Sequence, residues 1–138
     1  MNSLCIYDPD QITFGPGNFV KILSSYIKFS SKKSLSECSK SKKLMFIGEH
    51  CSISIALIRR ILCKTTIHRL DGRRLIKVKK NQINSLVKNR NFKKLIIYIA
   101  IELRVFIVAM LSTKVIFLSE YIKSQWPKFF KKKSIVLI

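Results

Sequence analysis

The chain has 138 residues, of which 27 are Lys or Arg and 7 are Asp or Glu, so its formal net charge is +20. Hydrophobic residues make up 48% of the sequence, which excludes a wholly disordered basic tail and indicates one compact domain, or a small domain with arms. A positive field of this size attracts polyanions, and both nucleic acid and anionic membranes fit it.

The first third of the chain carries turn and linker signals. Residues 1–28 are predicted to form an N-terminal arm, with turns at Asp8-Pro9-Asp10 and Gly15-Pro16-Gly17 before a stretch of helical spacing. Residues 29–43 are rich in Ser and Lys, which predicts a solvated linker. No basic segment followed by an apolar one opens the chain, so we expect a cytoplasmic, nucleoid or organellar-matrix protein that is not secreted.

Residues 44–90 are predicted to form a small basic domain in the order helix, helix, hairpin, helix. Ser54 is placed to cap a helix with Ile55, Ile58 and Leu62 on one face, while Arg59 and Arg60 point elsewhere. Asp71-Gly72 lies between two β-prone runs, 67–70 and 73–78, which is a strong hairpin signal. Positive charge is concentrated here, since residues 59–94 hold thirteen Lys and Arg against the single acid Asp71.

The segment 43–89 resembles the excisionase branch of the MerR-like winged-helix DNA-binding domains. The run from Gly72-Arg73-Arg74 to Ile83 follows the wing pattern of that family without a gap, and Ile53-Ser54 matches its entry to the second helix. Ile47 and Gly48 depart from the family's small Ala pair in the first helix, and Thr65 stands where the family has a Gly after the second helix.

The resemblance implies a fold and a set of contacts. The fold class it implies is mainly α: a small winged helix-turn-helix with a two-stranded hairpin, to which the sequence adds a long apolar C-terminal helix. The second helix would enter the major groove, and the wing would lie along the DNA backbone or the minor groove. The nucleic-acid-binding residues predicted on this basis are Arg59, Arg60, Lys64, Arg69, Arg73, Arg74, Lys77, Lys79 and Lys80.

Residues 91–138 are predicted to form an apolar helix followed by a basic aromatic tail. The runs 95–101, 105–111 and 115–118 are nearly all apolar, but Glu102, Arg104 and Lys114 interrupt them, and each such charge is costly inside a membrane span. We therefore favour a helix buried by its own domain, or by a second copy in a homodimer through residues 95–118, over a membrane span. The tail 126–133 mixes aromatics with lysines, which suits a backbone-contacting arm or an interfacial anchor.

No catalytic pattern is present in the sequence. Ser–His–Asp sets, paired carboxylates and phosphate-cradling glycine loops are missing, so we expect no catalytic residues, no cofactor and no enzyme activity. A zinc site made from His50, Cys51, Cys63 and His68 has spacing that matches no finger pattern, and reduced thiols are expected instead. The leading hypothesis is a winged-helix DNA-binding regulator or architectural factor. The alternatives are an RNA-binding structural protein of an organellar or divergent ribosome and a small membrane-associated protein.

Overall fold

A computed structural model describes residues 4–7, 21, 23, 29–32, 34–71 and 92–136 of the chain. Six strands form one sheet: β1 (Leu4–Tyr7), β2 (Phe29–Lys32), β3 (Lys43–Ile47), β4 (Thr65–Leu70), β5 (Lys114–Phe117) and β6 (Ser134–Val136). The named helices are α1 (Leu35–Ser39), α2 (Ile53–Ile61), α3 (Phe92–Leu111) and α4 (Glu120–Ser124), and a 3-10 helix spans Lys128–Lys133. Strands and helices alternate along the chain, which is the α/β arrangement.

All neighbouring strands of the sheet are parallel, in the spatial order β2-β1-β3-β4-β5-β6. β4 lies in the middle, with His68 aligned with Phe46 of β3 on one side and with Val115 of β5 on the other. The run Leu44–Ile47 is buried throughout, because a parallel strand covered on both faces needs apolar residues at every position.

Alternate residues of β1, β3, β4 and β5 face two separate cores. Leu44, Phe46, Val115 and Phe117 belong to the larger core, which α1, α2 and α3 cover with Cys38, Ala56, Val105, Val108 and Ala109. Leu4, Ile6, Met45 and Ile47 form the smaller core on the opposite face, against which Leu23 packs. This two-sided burial gives the strands a fixed register.

The helix α2 has a defined beginning and end. The side chain of Ser52 accepts a hydrogen bond from the Ile55 amide and caps the first turn. At the other end the Cys63 amide donates to Arg60 and the Lys64 amide donates to Arg59, which is the hydrogen-bond pattern of a Schellman motif. Cys63 supplies the left-handed residue of this motif, with φ of 52°.

The prediction of a winged helix-turn-helix is wrong. A wing needs the strand 67–70 to pair with 73–78 in an antiparallel hairpin, but β4 already uses both of its edges to pair with β3 and β5. The predicted first helix, around Ile47 and Gly48, is replaced by the buried strand β3 and a turn. The other half of the predicted hairpin and the helix after it, at 73–90, lie outside the described residues.

The prediction of a long apolar C-terminal helix through residues 95–118 is also wrong. α3 ends at Leu111, and the run 115–118 supplies the strand β5, whose Val115 and Phe117 are completely buried. The predicted arm at 126–133 contributes Trp126 and Phe130 to the larger core. No helix in the described ranges combines the length and the apolar character that crossing a bilayer requires.

The predicted N-terminal arm and linker both contribute to the sheet. β1 lies within residues 1–28, and β2 and α1 lie within residues 29–43. Leu35 and Cys38 of α1 pack on the larger core, and Cys38 is joined to Cys5 of β1 by a disulfide instead of being a reduced thiol. The Ser and Lys residues hide this helix in the sequence, because its 5 residues make less than two turns and show no helical spacing.

Candidate ligand site at the carboxyl edge of the sheet

The parallel strands bring four chain segments to one edge of the sheet. Tyr7, Ile47, Leu70 and Phe117 are the last residues of β1, β3, β4 and β5, and their carboxyl ends share that edge. The chain moves from β1 outward to β2 and then returns across β1 to β3, so the direction of winding reverses between β1 and β3. Connections that leave to opposite sides at such a point open a crevice, and ligands of open α/β sheets bind in it.

The turn after β3 is held firmly at this edge. The Gly48 amide donates to the carbonyl of Arg69 (2.9 Å), and the Gly48 carbonyl accepts a hydrogen bond from Nε2 of His68 (2.8 Å). Gly48 has φ of 54°, and a Cβ at this position would lie 2.5 Å from Oδ2 of Asp71. Only glycine allows the ends of β3 and β4 to approach this closely.

Asp71, which follows β4, is fixed from two sides. Its Oδ1 accepts a hydrogen bond from Nη2 of Arg69 at 2.6 Å, and its carbonyl accepts one from Nε1 of Trp126 at 3.2 Å. The Arg69 side chain is buried, so this ion pair holds the Asp71 carboxylate at the end of β4 and is not a mobile surface contact.

His68 is a neutral structural residue beneath the turn. It is completely buried against Phe46, and burial lowers its pKa to about 4, which outweighs the opposing effects of the Gly48 carbonyl and Asp71. Because Gly48 offers an acceptor, Nε2 carries the proton of the neutral ring. A ring that stays neutral to about pH 4 holds the turn in place and does not exchange protons near neutral pH.

Two helices, α2 and α3, place positive charge near the turn that follows β3. Arg104 of α3 is exposed and donates from Nη2 to the carbonyl of Glu49 at 3.1 Å. Burial raises the pKa of the Cys51 thiol to about 11. The charge of Arg104 acts in the opposite direction, and the Glu49 carboxylate raises this pKa further. Ser52, which caps α2, follows Cys51, and the first amides of a helix carry a partial positive charge. An anion at this edge would meet both groups.

The structure places two of the predicted nucleic-acid-binding residues in the interior. Arg59 is 2% exposed. Its guanidinium donates to the carbonyls of Ser39, Ser41, Lys42 and Thr65 and to Oγ1 of Thr66, at 2.7–3.1 Å. Arg69 is equally buried and is paired with Asp71. Neither side chain is available to a phosphate backbone, because each is committed to protein acceptors.

Two other predicted residues lie at the opposite, amino edge of the sheet. Arg60 is exposed on the last turn of α2, and Lys64 precedes β4. The remaining predicted contacts, Arg73, Arg74, Lys77, Lys79 and Lys80, lie outside the described residues. Sequence reasoning overlooked Lys40, Lys42, Lys43 and Lys114, which lie just before β3 or begin β3 and β5 at this same edge.

Sequence reasoning also missed Gly48, Asp71 and Arg104 as residues of one site. The available signal was a turn-forming residue directly after each short β-prone run: Gly48 after Leu44–Ile47, and Asp71 after Ile67–Leu70. Arg104 gave no such signal, because its partner is a backbone carbonyl 55 residues away in sequence.

The zinc alternative has no geometric support. Cys51 and Cys63 lie beyond opposite ends of α2, a helix of 9 residues, so they are separated by its length of about 13 Å. Among the described residues no group of three or more His, Cys, Asp or Glu side chains is placed to hold a metal ion.

Comparison of this chain with known family models, with characterised proteins and with solved structures finds no match.

Proposed function

We propose that the chain is an α/β ligand-binding domain that takes an anionic small molecule, such as a phosphorylated metabolite or nucleotide, at the carboxyl edge of its sheet. The observation that carries this proposal is the strand order, which reverses between β1 and β3. In sheets of this type the crevice at the reversal is the usual ligand site.

The charge of the described groups supports an anionic ligand. Arg104 is held beside the turn after β3 through its hydrogen bond to Glu49, and the amino end of α2 starts at the same turn. Helix amino ends stabilise phosphate because several amides there have no partner inside the helix. The net charge of +20 would also raise the local concentration of anions and speed their association.

The close packing under the turn supports a preformed site. Two hydrogen bonds join β3, β4 and the segment after α4: His68 donates to the Gly48 carbonyl, and Trp126 donates to the Asp71 carbonyl. Asp71 also lies so close to Gly48 that a Cβ there would have no room. A site that is ordered before binding loses little conformational entropy when the ligand arrives.

Ser54 offers a direct test, because it is exposed on the first turn of α2. Ser54→Glu places a carboxylate near the helix dipole, which favours the helix by about 0.3–1 kcal/mol. The same carboxylate would repel an anion in the crevice, so we expect affinity for ADP or pyrophosphate to fall by about tenfold relative to Ser54→Gln.

Binding is measured by titrating full-length protein with ADP or pyrophosphate while following backbone amide shifts by NMR. We expect shifts at Gly48, Glu49, Ser54 and Asp71. Equal affinity of the Glu and Gln variants, shifts confined to Lys43 and Lys114 at the amino edge, or no binding of either probe would contradict the proposal.

Nucleic-acid binding is a second candidate function, for DNA or for ribosomal RNA, and the basic amino edge favours it. Lys40, Lys42, Arg60 and Lys114 are exposed there. If they contact phosphates, changing Lys42, Arg60 and Lys114 together to Gln should lower the steepness of log affinity against log salt by about 0.9 per lost contact on duplex DNA. An unchanged slope on both duplex DNA and folded RNA would remove this candidate.

A further inference from the structure

The outward side of α2 is apolar, although it does not pack on the sheet. Ala56 and Arg59 form the buried side of the helix, while Leu57, Ile58, Ile61 and Leu62 on the other side are 46–71% exposed. These four residues, here called the α2 stripe, are related by helical spacings of three and four. A surface helix normally has polar residues on this side, so the α2 stripe indicates a binding surface.

Basic groups surround the carboxyl end of the α2 stripe. Arg60 is exposed beside Ile61, and Lys64 follows the helix. The hydrogen bonds of Arg59 to the carbonyls of Ser39, Ser41 and Lys42 hold the loop with Lys40 and Lys42 against the same helix end.

Lys133 lies close to Arg60, one of the cations at the carboxyl end of the α2 stripe. Its pKa is lowered by burial and then by the neighbouring charge of Arg60. The segment 52–64 contains no Asp or Glu, so no acid of α2 offsets these cations.

A stripe of exposed aliphatic side chains bordered by cations suits some classes of partner better than others. A second copy of the chain would bring the same cations of two highly positive molecules together, which costs energy. The phosphates of a nucleic acid would pair with the cations, but a nucleic acid has no comparable apolar surface to bury four aliphatic side chains. An anionic lipid surface satisfies both, because aliphatic residues enter the headgroup boundary while Lys and Arg meet the lipid phosphates.

We propose that the α2 stripe and its basic rim dock the protein on anionic lipid bilayers. The helix lies along the membrane surface, its four aliphatic side chains enter the interface, and Arg60, Lys64 and Lys42 contact the headgroups. The proposal is independent of the ligand site, since it uses the outward side of α2 and the amino edge of the sheet.

The test is flotation of full-length protein with vesicles of phosphatidylcholine alone or mixed with phosphatidylglycerol. Wild type is expected to bind the mixed vesicles only. Leu57→Ser and Ile61→Ser should each weaken binding about tenfold, because each removes an aliphatic side chain from the interface. The charge variant Arg60→Gln with Lys64→Gln should weaken it by a similar factor and reduce its dependence on salt.

Tyr121→Ser is the matched control, because Tyr121 is 73% exposed on α4, a different helix from the one that carries the α2 stripe. Its binding should equal that of wild type. All the substituted residues are exposed or half-buried, so unchanged urea unfolding verifies that each variant is folded. Unaltered vesicle binding by Ile61→Ser would overturn the proposal, as would equal binding to both vesicle types. Absence of vesicle binding together with a dimer that Ile61→Ser dissociates would assign the α2 stripe to a second copy instead.

Discussion

At the scale of single residues, Arg59 shows how a charged side chain stabilises the interior of this fold. Its guanidinium joins α2 to two other chain segments, by donating to carbonyls of residues 39–42 before β3 and to acceptors of Thr65 and Thr66 at the start of β4. None of its five acceptors is a carboxylate, and burial lowers the pKa of the side chain. The four carbonyls would be left without this donor if Arg59 were shortened or made apolar.

Arg59→Met should therefore lower the free energy of unfolding by about 3–5 kcal/mol, the range found when one partner of a buried charged interaction is removed. Arg60→Met is the control, because Arg60 is the exposed neighbour on the same helix turn, and its effect should stay within about 0.5 kcal/mol. Urea unfolding of the two variants measures the difference. Equal stability of the two would mean that the buried hydrogen bonds of Arg59 do not hold the fold.

His68 should make stability depend on pH in a defined window. Its pKa is about 4 in the folded protein, near the charges of Asp71 and Lys133, and 6.5 is its ordinary value. The unfolded chain therefore binds a proton below pH 6.5 that the folded protein does not accept until about pH 4. Stability is fully present above pH 6.5 and falls as pH drops through this window, by about 3 kcal/mol in total.

His68→Gln removes the titrating ring but keeps a donor for the Gly48 carbonyl. Urea unfolding at several pH values between about 4 and 6.5, the window set by the two pKa values, should show a smaller loss of stability for this variant than for wild type. Parallel curves for the two proteins would contradict a neutral, buried His68.

Cys63 occupies a position that glycine suits better. A non-glycine residue in the left-handed region costs about 1–2 kcal/mol, whereas glycine loses about 0.4–1 kcal/mol through the greater freedom of the unfolded chain. Since Cys63 has φ of 52°, Cys63→Gly should raise the free energy of unfolding by about 0.5–1 kcal/mol. Cys63→Ala should not stabilise the protein, because it keeps the Cβ. Urea unfolding of both variants checks this expectation.

At the scale of secondary structure, the sequence predicts which segments are extended or helical better than it predicts which strands pair with each other. The run 67–70 is extended, as its β-prone residues indicate, but it pairs in parallel with strands on both sides and not with a hairpin neighbour. Asp71 directly follows that strand, so a residue that suits a tight turn equally suits the position after a parallel strand. Pairing depends on residues distant in sequence, such as Val115, which local spacing does not reveal.

The orientation of α2 was not predictable from apolar spacing for a definite reason. Ile58 and Leu62 suggested the buried side, yet Ala56 and Arg59 occupy it. The small Ala56 allows the helix to approach the sheet, and the five acceptors around Arg59 compensate for the burial of its charge. Those acceptors are mostly backbone carbonyls, which every residue has, so they cannot be recognised from the residue types in the sequence.

α3 is longer than the sheet that it covers. Its 20 residues span about 30 Å, whereas β4 with 6 residues spans about 20 Å. Its buried residues, Val105, Val108 and Ala109, all lie in the second half, while Ile96 and Ile97 near its start are exposed. Self-association through residues 95–118 stays a prediction, now restricted to this exposed part of α3, and sedimentation velocity of Ile96→Asp against wild type would test it.

At the scale of the whole molecule, the two edges of the sheet differ in character. The carboxyl edge has a packed turn with Glu49, Asp71 and Arg104, whereas the amino edge has several lysines and Arg60. Composition alone predicts attraction to anions but does not say where the charges lie. The parallel sheet determines where the charges lie, because residues that precede each strand lie at the amino edge and residues that follow each strand lie at the carboxyl edge.

The site, the basic edge and the α2 stripe all depend on β4 lying between β3 and β5 in a parallel sheet. Backbone NOEs measured by NMR on the full chain test this arrangement most directly. We predict cross-strand NOEs from 67–70 both to 45–47 and to 114–117. NOEs that instead connect 67–70 with 73–78 in antiparallel register would contradict the fold and the ligand site built on it.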